Sequence, residues 1–456
     1  MDYSAANTGL WNLIIQLGMI AVVVLIANIL RRRIPAIRKS MMPVAVLAGF
    51  ILLILKTTGI YKPDNNVLEM LVYHCIALGF IAMSLRTAIP STNKKAKMLG
   101  LKSGAIIVGT YLIQAIMGLV ITLGLAYTVM PGMFKAAGLL LPMGFGQGPG
   151  QANNIGSTYE ALGFAGGRSF GLAIAAAGYL CACTAGVFII NRWAKKGELS
   201  AEKKKGVDET LAPNFFQDKN EIPVADSIDK FSVQAVMVLF VYLVTYLVTW
   251  GLTSGIAAVS PGLAATVNTL LWGFNFIIGS VLAMVVRVAL MKGQQMGLIT
   301  RQYQNNYLLN RISGFFFDIM IVAGVASINL EDISGLWVPF ILLALAGGFG
   351  TWFYLKVVCR KVYADYYHEG IISMYGMLTG TIGSGVLLLR EIDPELGTPA
   401  ANNLVVGSSY AIVLGVPMLI FVSLAARSTL LCLVTLGLAF IYWCGLTWFL
   451  CRQKGN

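Results

Sequence analysis

Long apolar segments, separated by short polar stretches, recur along the whole chain of 456 residues. A helix needs about 20 apolar residues to cross the hydrocarbon core of a bilayer, and each segment is close to that length. The segments therefore predict membrane-spanning helices. We predict about 11 spans, near residues 10–30, 41–60, 67–85, 103–129, 166–190, 231–252, 263–290, 308–328, 337–357, 402–425 and 429–450.

The composition indicates the same class of protein. Hydrophobic residues make up 57% of the chain, charged residues only 12%, and the mean hydropathy is +0.76, which excludes a soluble domain of this length. The net charge of +13 comes mostly from lysines and arginines beside one end of the predicted spans. That distribution is typical of cytoplasmic loops. We therefore expect no nucleic-acid partner, and we place the N-terminus outside and the C-terminus in the cytoplasm.

A polar segment, residues 191–230, divides the chain into halves and is predicted to be a cytoplasmic linker. Residues 1–190 and residues 231–425 each contain five predicted spans in the same order. Because one half starts outside and the other inside, the halves form a predicted inverted-topology repeat. Residues 426–456 add one C-terminal span without a counterpart.

Each half contains one glycine-rich interruption at the corresponding position, in residues 144–154 and in residues 379–385. Non-helical backbone survives at bilayer depth only where protein, water or a solute satisfies its amide groups. A matched pair of such breaks indicates the binding site of a transporter. We predict two re-entrant hairpins, about 136–164 and about 370–400. The alternative is that these glycines only allow close helix packing.

Substrate contacts are expected from the backbone and the polar side chains of the two interruptions. The candidates are Gly146, Gln147, Gly148, Gln151, Thr381, Gly383, Ser384 and Arg390. A charge within apolar sequence is expensive and usually functional. The Arg390 guanidinium could hold a substrate carboxylate through two hydrogen bonds, or it could pair with Glu391 or Asp393.

Oxygen-bearing side chains near the interruptions, together with one acid inside a span, are candidate cation ligands. They are Asn153, Asn154, Asp318, Asn402 and Asn403. Sodium prefers oxygen ligands, which broken helices offer. Asp318 could instead pair with Arg311, and Asn402 and Asn403 could cap the tenth predicted span.

The two glycine-rich segments resemble those of the bacterial sodium:glutamate symporter family. The residues that carry the resemblance are Gly146, Gly148 and Gly150 in the first segment and Gly380-Thr381, Leu388-Leu389-Arg390 and Asp393-Pro394 in the second. Phe145, where the family often has glycine, and the extra C-terminal span depart from the family pattern. The resemblance implies a homodimer in the bacterial inner membrane, with a fold related to the 2-hydroxycarboxylate transporters. It also implies that one part of each protomer slides across the membrane with the substrate.

These features predict symport of sodium with a small anionic substrate, glutamate by resemblance. We expect sodium as the coupling ion, no other cofactor, and membrane lipid and a second copy of the chain as partners. A carrier of 2-hydroxycarboxylates or other carboxylates, coupled to sodium or protons, is the main alternative. A channel is a further one, because glycine-rich loops also build selectivity filters. An enzyme is not expected, because the chain has only two histidines and neither lies in an HExxH motif.

Overall fold

A computed structural model describes residues 3–4, 7–39, 42–86, 94–199, 224–259, 271–273, 275–298, 303–393 and 397–452. These residues form helices and turns and contain no strand, so the predicted all-α fold is confirmed for them. The first helices are α1 Thr8–Arg33, α2 Pro35–Lys39, α3 Val44–Thr57, α4 Asn65–Leu85, α5 Lys94–Tyr127, α6 Pro149–Ala161 and α7 Gly167–Lys196. The others are α8 Val224–Val259, α9 Asn275–Gln295, α10 Asn306–Ser327, α11 Trp337–Val362, α12 Tyr367–Thr379, α13 Ile382–Arg390, α14 Ala400–Leu414, α15 Val416–Ala425 and α16 Thr429–Cys451.

Nine helices in the described part of the chain are long and apolar enough to cross a membrane. They are α1, α4, α5, α7, α8, α9, α10, α11 and α16. The second predicted span is a shorter apolar helix, α3, of 14 residues. Most of the predicted linker and residues 263–270 of the seventh predicted span lie outside the described residues. The many apolar helices are those of a multi-pass membrane protein.

The tenth predicted span, residues 402–425, is two helices rather than one. α14 and α15 are bent by 53° relative to each other, and together they would make a tenth span. Pro417 has no backbone N–H to donate, and its ring crowds the carbonyl group four residues earlier. Gly415 lies at the junction, where a Cβ atom would come within 2.7 Å of the Ala411 carbonyl oxygen. A proline near a glycine therefore interrupts a segment whose hydropathy alone predicts continuity.

The chain divides into two compact units. The larger unit consists of Met1–Glu69, Ser91–Leu211 and Ile321–Asn456, and the smaller unit of Met70–Pro90 and Ala212–Met320. An apolar core in the smaller unit is formed by Leu78, Ile81, Ala82, Leu85, Val238, Val241, Ala283, Leu309 and Ile312. Both glycine-rich segments belong to the larger unit.

Helix α5 is the most buried of the nine long helices in the described part of the chain. Glycines allow its neighbours to approach closely, as small residues do between membrane helices. Gly104 lies against the backbone of α14, and Gly109 lies against Tyr354 of α11. Gly118 faces Gly138 so closely that a Cβ atom on either would overlap the backbone of the other. Because Gly138 belongs to the short 3-10 helix that leads into the first glycine-rich segment, α5 fixes the start of that segment.

Candidate functional site

The first glycine-rich segment leaves the α-helical conformation and then starts α6. Residues Pro142–Gly146 form one turn of π-helix and are all buried. Gly148 follows with φ +90° and ψ −176°, a conformation that costs a residue with a side chain about 1–3 kcal/mol. Pro149 is the first residue of α6, a position at which its missing N–H loses no helical hydrogen bond. The pair Gly148-Pro149 therefore sets the point at which the helix begins.

The second segment is a short interruption between α12 and α13. Gly380 has φ −140° and ψ −104°, and Thr381 has φ −141° and ψ 172°, so neither residue is helical. A Cβ atom on Gly376 of α12 would lie 2.8 Å from the Cα atom of Gly385 of α13. The interruption thus joins two helices that pack against each other through glycines.

The two interruptions meet within the larger unit. A Cβ atom built on Gly148 would lie 3.9 Å from the carbonyl oxygen of Gly380 and 3.9 Å from Cγ2 of Thr381. Gly178 of α7 contacts both segments. Its Cβ atom would overlap the carbonyl oxygen of Thr379 and lie 3.2 Å from the Phe145 ring. The structure therefore brings together backbone from both halves of the sequence, with α7 packed against both.

A buried glutamine connects the interruptions to α5 and α11. Gln114 of α5 donates from Nε2 to Oγ1 of Thr351 at 2.7 Å and to the carbonyl oxygen of Leu378 at 3.0 Å. Its Oε1 atom lies 3.0 Å from the position of a Cβ atom on Gly146. Neither Gln114 nor Thr351 is among the residues predicted from the sequence. The available signal was a polar amide in the middle of a long apolar helix, which is expensive in a membrane and rarely accidental.

Several buried side-chain oxygens at and beside the interruptions have no hydrogen-bond partner among the described residues. They are Oε1 of Gln114, Oε1 of Gln151, Oδ1 of Asn153 and Oγ of Ser384. Leaving such an atom unpaired costs about 1–3 kcal/mol. Ser384 Oγ is 2.9 Å from the position of a Cβ atom on Gly380. Gln151, Asn153 and Ser384 are sequence-predicted ligands, and their free oxygens are available to a bound cation or hydrogen-bond donor.

The N-terminal ends of α6 and α13 begin at the meeting point. The first helical hydrogen bonds run from Ala152 N–H to the Gly148 carbonyl at 3.2 Å and from Gly385 N–H to the Thr381 carbonyl at 3.0 Å. The N–H groups before them have no helical acceptor. Neither N-cap residue supplies a side-chain hydrogen bond. Two helix ends with partial positive charge can therefore hold an anion without a cationic side chain.

Arg390 lies at the opposite end of α13 from the interruption. It lies eight positions after Ile382, which corresponds to roughly 12 Å along a helix. Asp393, proposed as its alternative partner, accepts hydrogen bonds from Gly397 N–H at 2.9 Å and from the Thr398 hydroxyl at 2.6 Å. Asp393 thus connects the end of α13 to the residues just before α14, and a substrate role for Arg390 stays a prediction.

The remaining predicted cation ligands differ in their surroundings. Asn154 is buried in α6, beside Asn153. Asn403 is buried and donates to the Tyr366 hydroxyl at 2.7 Å, whereas Asn402 is exposed. Neither asparagine caps α14, because the N-cap residue is Pro399.

Asp318 belongs to the smaller unit, where its side chain is exposed on α10. It makes no ion pair with a described residue. Arg311, its proposed alternative partner, instead places its guanidinium over the ring of Tyr307, 5.0 Å from the ring centre. The structure thus gives no support to the predicted Asp318–Arg311 pair. A cation role for Asp318 stays a prediction.

A GxSxG pattern at residues 167–171, which was overlooked when no enzyme was expected from the sequence, lies in the first turns of α7. In hydrolases this pattern forms a tight turn between a strand and a helix, so that the serine is exposed to a histidine base. Here Ser169 is buried and donates to Oδ2 of Asp332 at 2.8 Å. The serine therefore joins α7 to the turn before α11.

A cavity of about 810 Å³ lies at the end of α6 away from the interruption. It is lined by the turn after α6 and by the chain before the π-turn, with Lys135 and Asp332 as its charged residues. Lys135 donates to Oγ1 of Thr429 at 2.7 Å, which ties the segment to the start of α16. The first glycine-rich segment and α6 therefore run between this cavity and the meeting point of the interruptions.

In comparisons with known proteins, the chain matches no protein-family model and no curated protein sequence. The resemblance to the sodium:glutamate symporters therefore rests on the motifs of the two glycine-rich segments.

Two buried glutamines should respond differently to replacement by methionine, which has similar length but no hydrogen-bonding amide. Gln114→Met leaves the Leu378 carbonyl and the Thr351 hydroxyl without their donor, so we expect a loss of about 1–3 kcal/mol in stability. Gln151→Met removes a buried oxygen that has no partner among the described residues, so we expect no loss of stability and a gain of up to about 3 kcal/mol. Thermal unfolding of the purified, substrate-free variants measures both. An equal loss in the two variants would mean that Gln151 is structural rather than a ligand.

Proposed function

We propose that the chain is a secondary active transporter that moves a small carboxylate together with sodium, with glutamate favoured by the resemblance. The observation that carries this proposal is the contact between two interruptions from the two halves of the sequence. Discontinuous helices that meet in this way form the substrate sites of many secondary transporters. In the proposed arrangement each interruption is the tip of a re-entrant hairpin, and the halves are inverted repeats in the bacterial inner membrane. The N-terminus lies outside and the C-terminus in the cytoplasm.

The chemistry at the meeting point favours a carboxylate as substrate. The N–H groups at the starts of α6 and α13 can donate hydrogen bonds to carboxylate oxygens, and both helix dipoles favour a negative charge there. The polar side chains at or beside the meeting point include those of Gln114, Gln151, Asn153, Thr381 and Ser384, which are all uncharged. Binding by backbone groups suits a small substrate that must also leave, because no permanent counter-charge holds it.

The same place offers oxygen ligands for the coupling ion. Unpaired oxygens on Gln151, Asn153 and Ser384 add to the carbonyl groups at the end of α12. Unwound carbonyls and helix C-terminal ends coordinate sodium in transporters of this general design. A cation beside the carboxylate would neutralise part of its charge. Binding of each would therefore favour binding of the other, which is the requirement for coupled transport.

Alternating access requires two bodies that can move relative to each other. In the proposed mechanism the body that moves the substrate is the larger unit, because it holds both interruptions. A carrier of 2-hydroxycarboxylates would use the same helix ends and carbonyl groups. Transport assays with different carboxylates therefore distinguish the two carriers. We propose no enzymatic activity.

Counterflow with the reconstituted full chain tests the proposal. We expect one labelled carboxylate to accumulate in liposomes preloaded with the same unlabelled compound, and only when sodium is present. The panel should include glutamate, aspartate, malate, citrate and a neutral amino acid, each in sodium and in potassium buffer. Accumulation of malate or citrate would support the 2-hydroxycarboxylate carrier instead. A flux that does not saturate and does not depend on counter-substrate would indicate a channel and contradict the proposal.

Alanine substitutions at two glycines with positive φ should distinguish a functional role of the first interruption from a general effect on protein stability. Gly148 and Gly163 have φ of +90° and +99°, and no atom lies within 4 Å of a Cβ atom on Gly163. Each alanine should cost about 1–3 kcal/mol of backbone strain. We expect Gly148→Ala to abolish counterflow, because it also changes the tip, and Gly163→Ala to retain it. Matched losses of transport in both variants would show that the tip has no special role.

A further inference from the structure

The smaller unit has an excess of positive charge among its described side chains. These include the basic residues Arg86, Arg287, Lys292 and Arg311 and a single acidic residue, Asp318. None of the four basic side chains forms an ion pair with a described residue, because all ion pairs among the described residues lie in the larger unit. Lysine and arginine side chains near a membrane surface attract anionic lipid headgroups.

Two of these arginines are held at the same end of α4. Arg86 follows the helix and donates from Nε to the Met83 carbonyl at 3.1 Å and from Nη1 to Oδ1 of Asn310 at 3.1 Å. Arg287 of α9 donates from Nη1 to the Ser84 carbonyl at 3.3 Å and to the Arg86 carbonyl at 3.0 Å. Hydrogen bonds to α4 and α10 therefore fix both guanidinium groups beside the last turn of α4.

Both guanidinium groups have donors left over. Arginine has five N–H donors in a planar fork that matches the geometry of a phosphate group. The hydrogen bonds described use Nε and Nη1 of Arg86 and only Nη1 of Arg287. Each side chain is partly exposed, so an anion can reach it. Two fixed guanidinium groups with free donors are a preorganised site for a phosphate.

The surface beside the arginines is apolar. Val285 and Val288, on either side of Arg287 along α9, are 58% and 45% exposed. Phe315 of α10, one turn after Arg311, is 61% exposed. An apolar surface next to cationic donors fits the acyl chains and headgroup of a phospholipid, whereas a free phosphate would gain nothing from it.

We propose that Arg86 and Arg287 bind the phosphate of an anionic phospholipid, with acyl chains along the valines of α9 and the exposed face of α10. Arg311 raises the positive potential at the same end of α10. The site uses residues of the smaller unit alone. It requires that the protein lies in a membrane, but not that it transports any substrate, so it goes beyond the proposed function.

Lipid binding to the purified full chain in a neutral detergent tests this site. The probes are phosphatidylglycerol, phosphatidylcholine with identical acyl chains, and inorganic phosphate, each measured by native mass spectrometry. About 1 kcal/mol for each arginine, or about 2 kcal/mol in total, predicts a roughly thirtyfold preference for phosphatidylglycerol over phosphatidylcholine. Arg86→Gln and Arg287→Gln should each reduce that preference by about fivefold.

Lys292→Gln is the matched control, because it removes one charge from the same helix as Arg287 without touching the arginine site. It should keep the preference for phosphatidylglycerol. Equal affinity of the unaltered protein for the two lipids would overturn the proposal, even if the glutamine variants fail to fold. An equal loss in Lys292→Gln would mean that only net charge matters. Binding of inorganic phosphate as tight as that of phosphatidylglycerol would also overturn it, since the apolar surface would then contribute nothing.

Discussion

Where a buried helix is interrupted, the backbone groups released from its hydrogen-bond ladder must find partners in the protein or in a ligand. In the larger unit, the backbone groups of both interruptions find protein partners at the point where the two interruptions meet. Gln114 donates to the Leu378 carbonyl, and Gly178 lets α7 approach the Thr379 carbonyl and Phe145 together. A side chain at residue 178 would push these segments apart. The close packing of α5, α7 and α12 therefore depends on small residues next to the unpaired backbone.

This constraint also explains the type of chemistry available at the site. The polar groups that converge there are helix N-terminal N–H groups, carbonyl oxygens and uncharged side chains, several with oxygens that no described residue satisfies. In the proposed transporter, a carboxylate and a sodium ion complete these hydrogen-bonding and coordination needs. An empty site retains unpaired polar atoms, which cost free energy. Binding of both ligands relieves that cost. Ligand binding is therefore expected to stabilise the packing of the two interruptions against each other.

The sequence predicts those features that depend on local properties of the chain. Helix length and hydropathy locate the spans, and Gly148-Pro149 and Gly380 mark the interruptions because backbone freedom is a property of the residue itself. The amide of Gln114 could have been singled out as a polar group inside an apolar helix. Its partners and the contacts of Gly178 could not be predicted, because they depend on which helices meet.

Residue type alone selected Asp318 and Asn402, whose side chains are exposed, and their roles as cation ligands stay predictions. The bend at Gly415 was predictable in principle, since Pro417 lies inside the apolar run.

Cryo-electron microscopy of the full chain in lipid nanodiscs, with sodium and the carboxylate that counterflow identifies, measures the position of the ligand directly. We expect carboxylate density within hydrogen-bond distance of the first N–H groups of α6 and α13. We also expect an ion beside the oxygens of Asn153 and Ser384. Ligand density away from both interruptions, with their backbone contacts unchanged, would contradict the claim that the two breaks form the binding site.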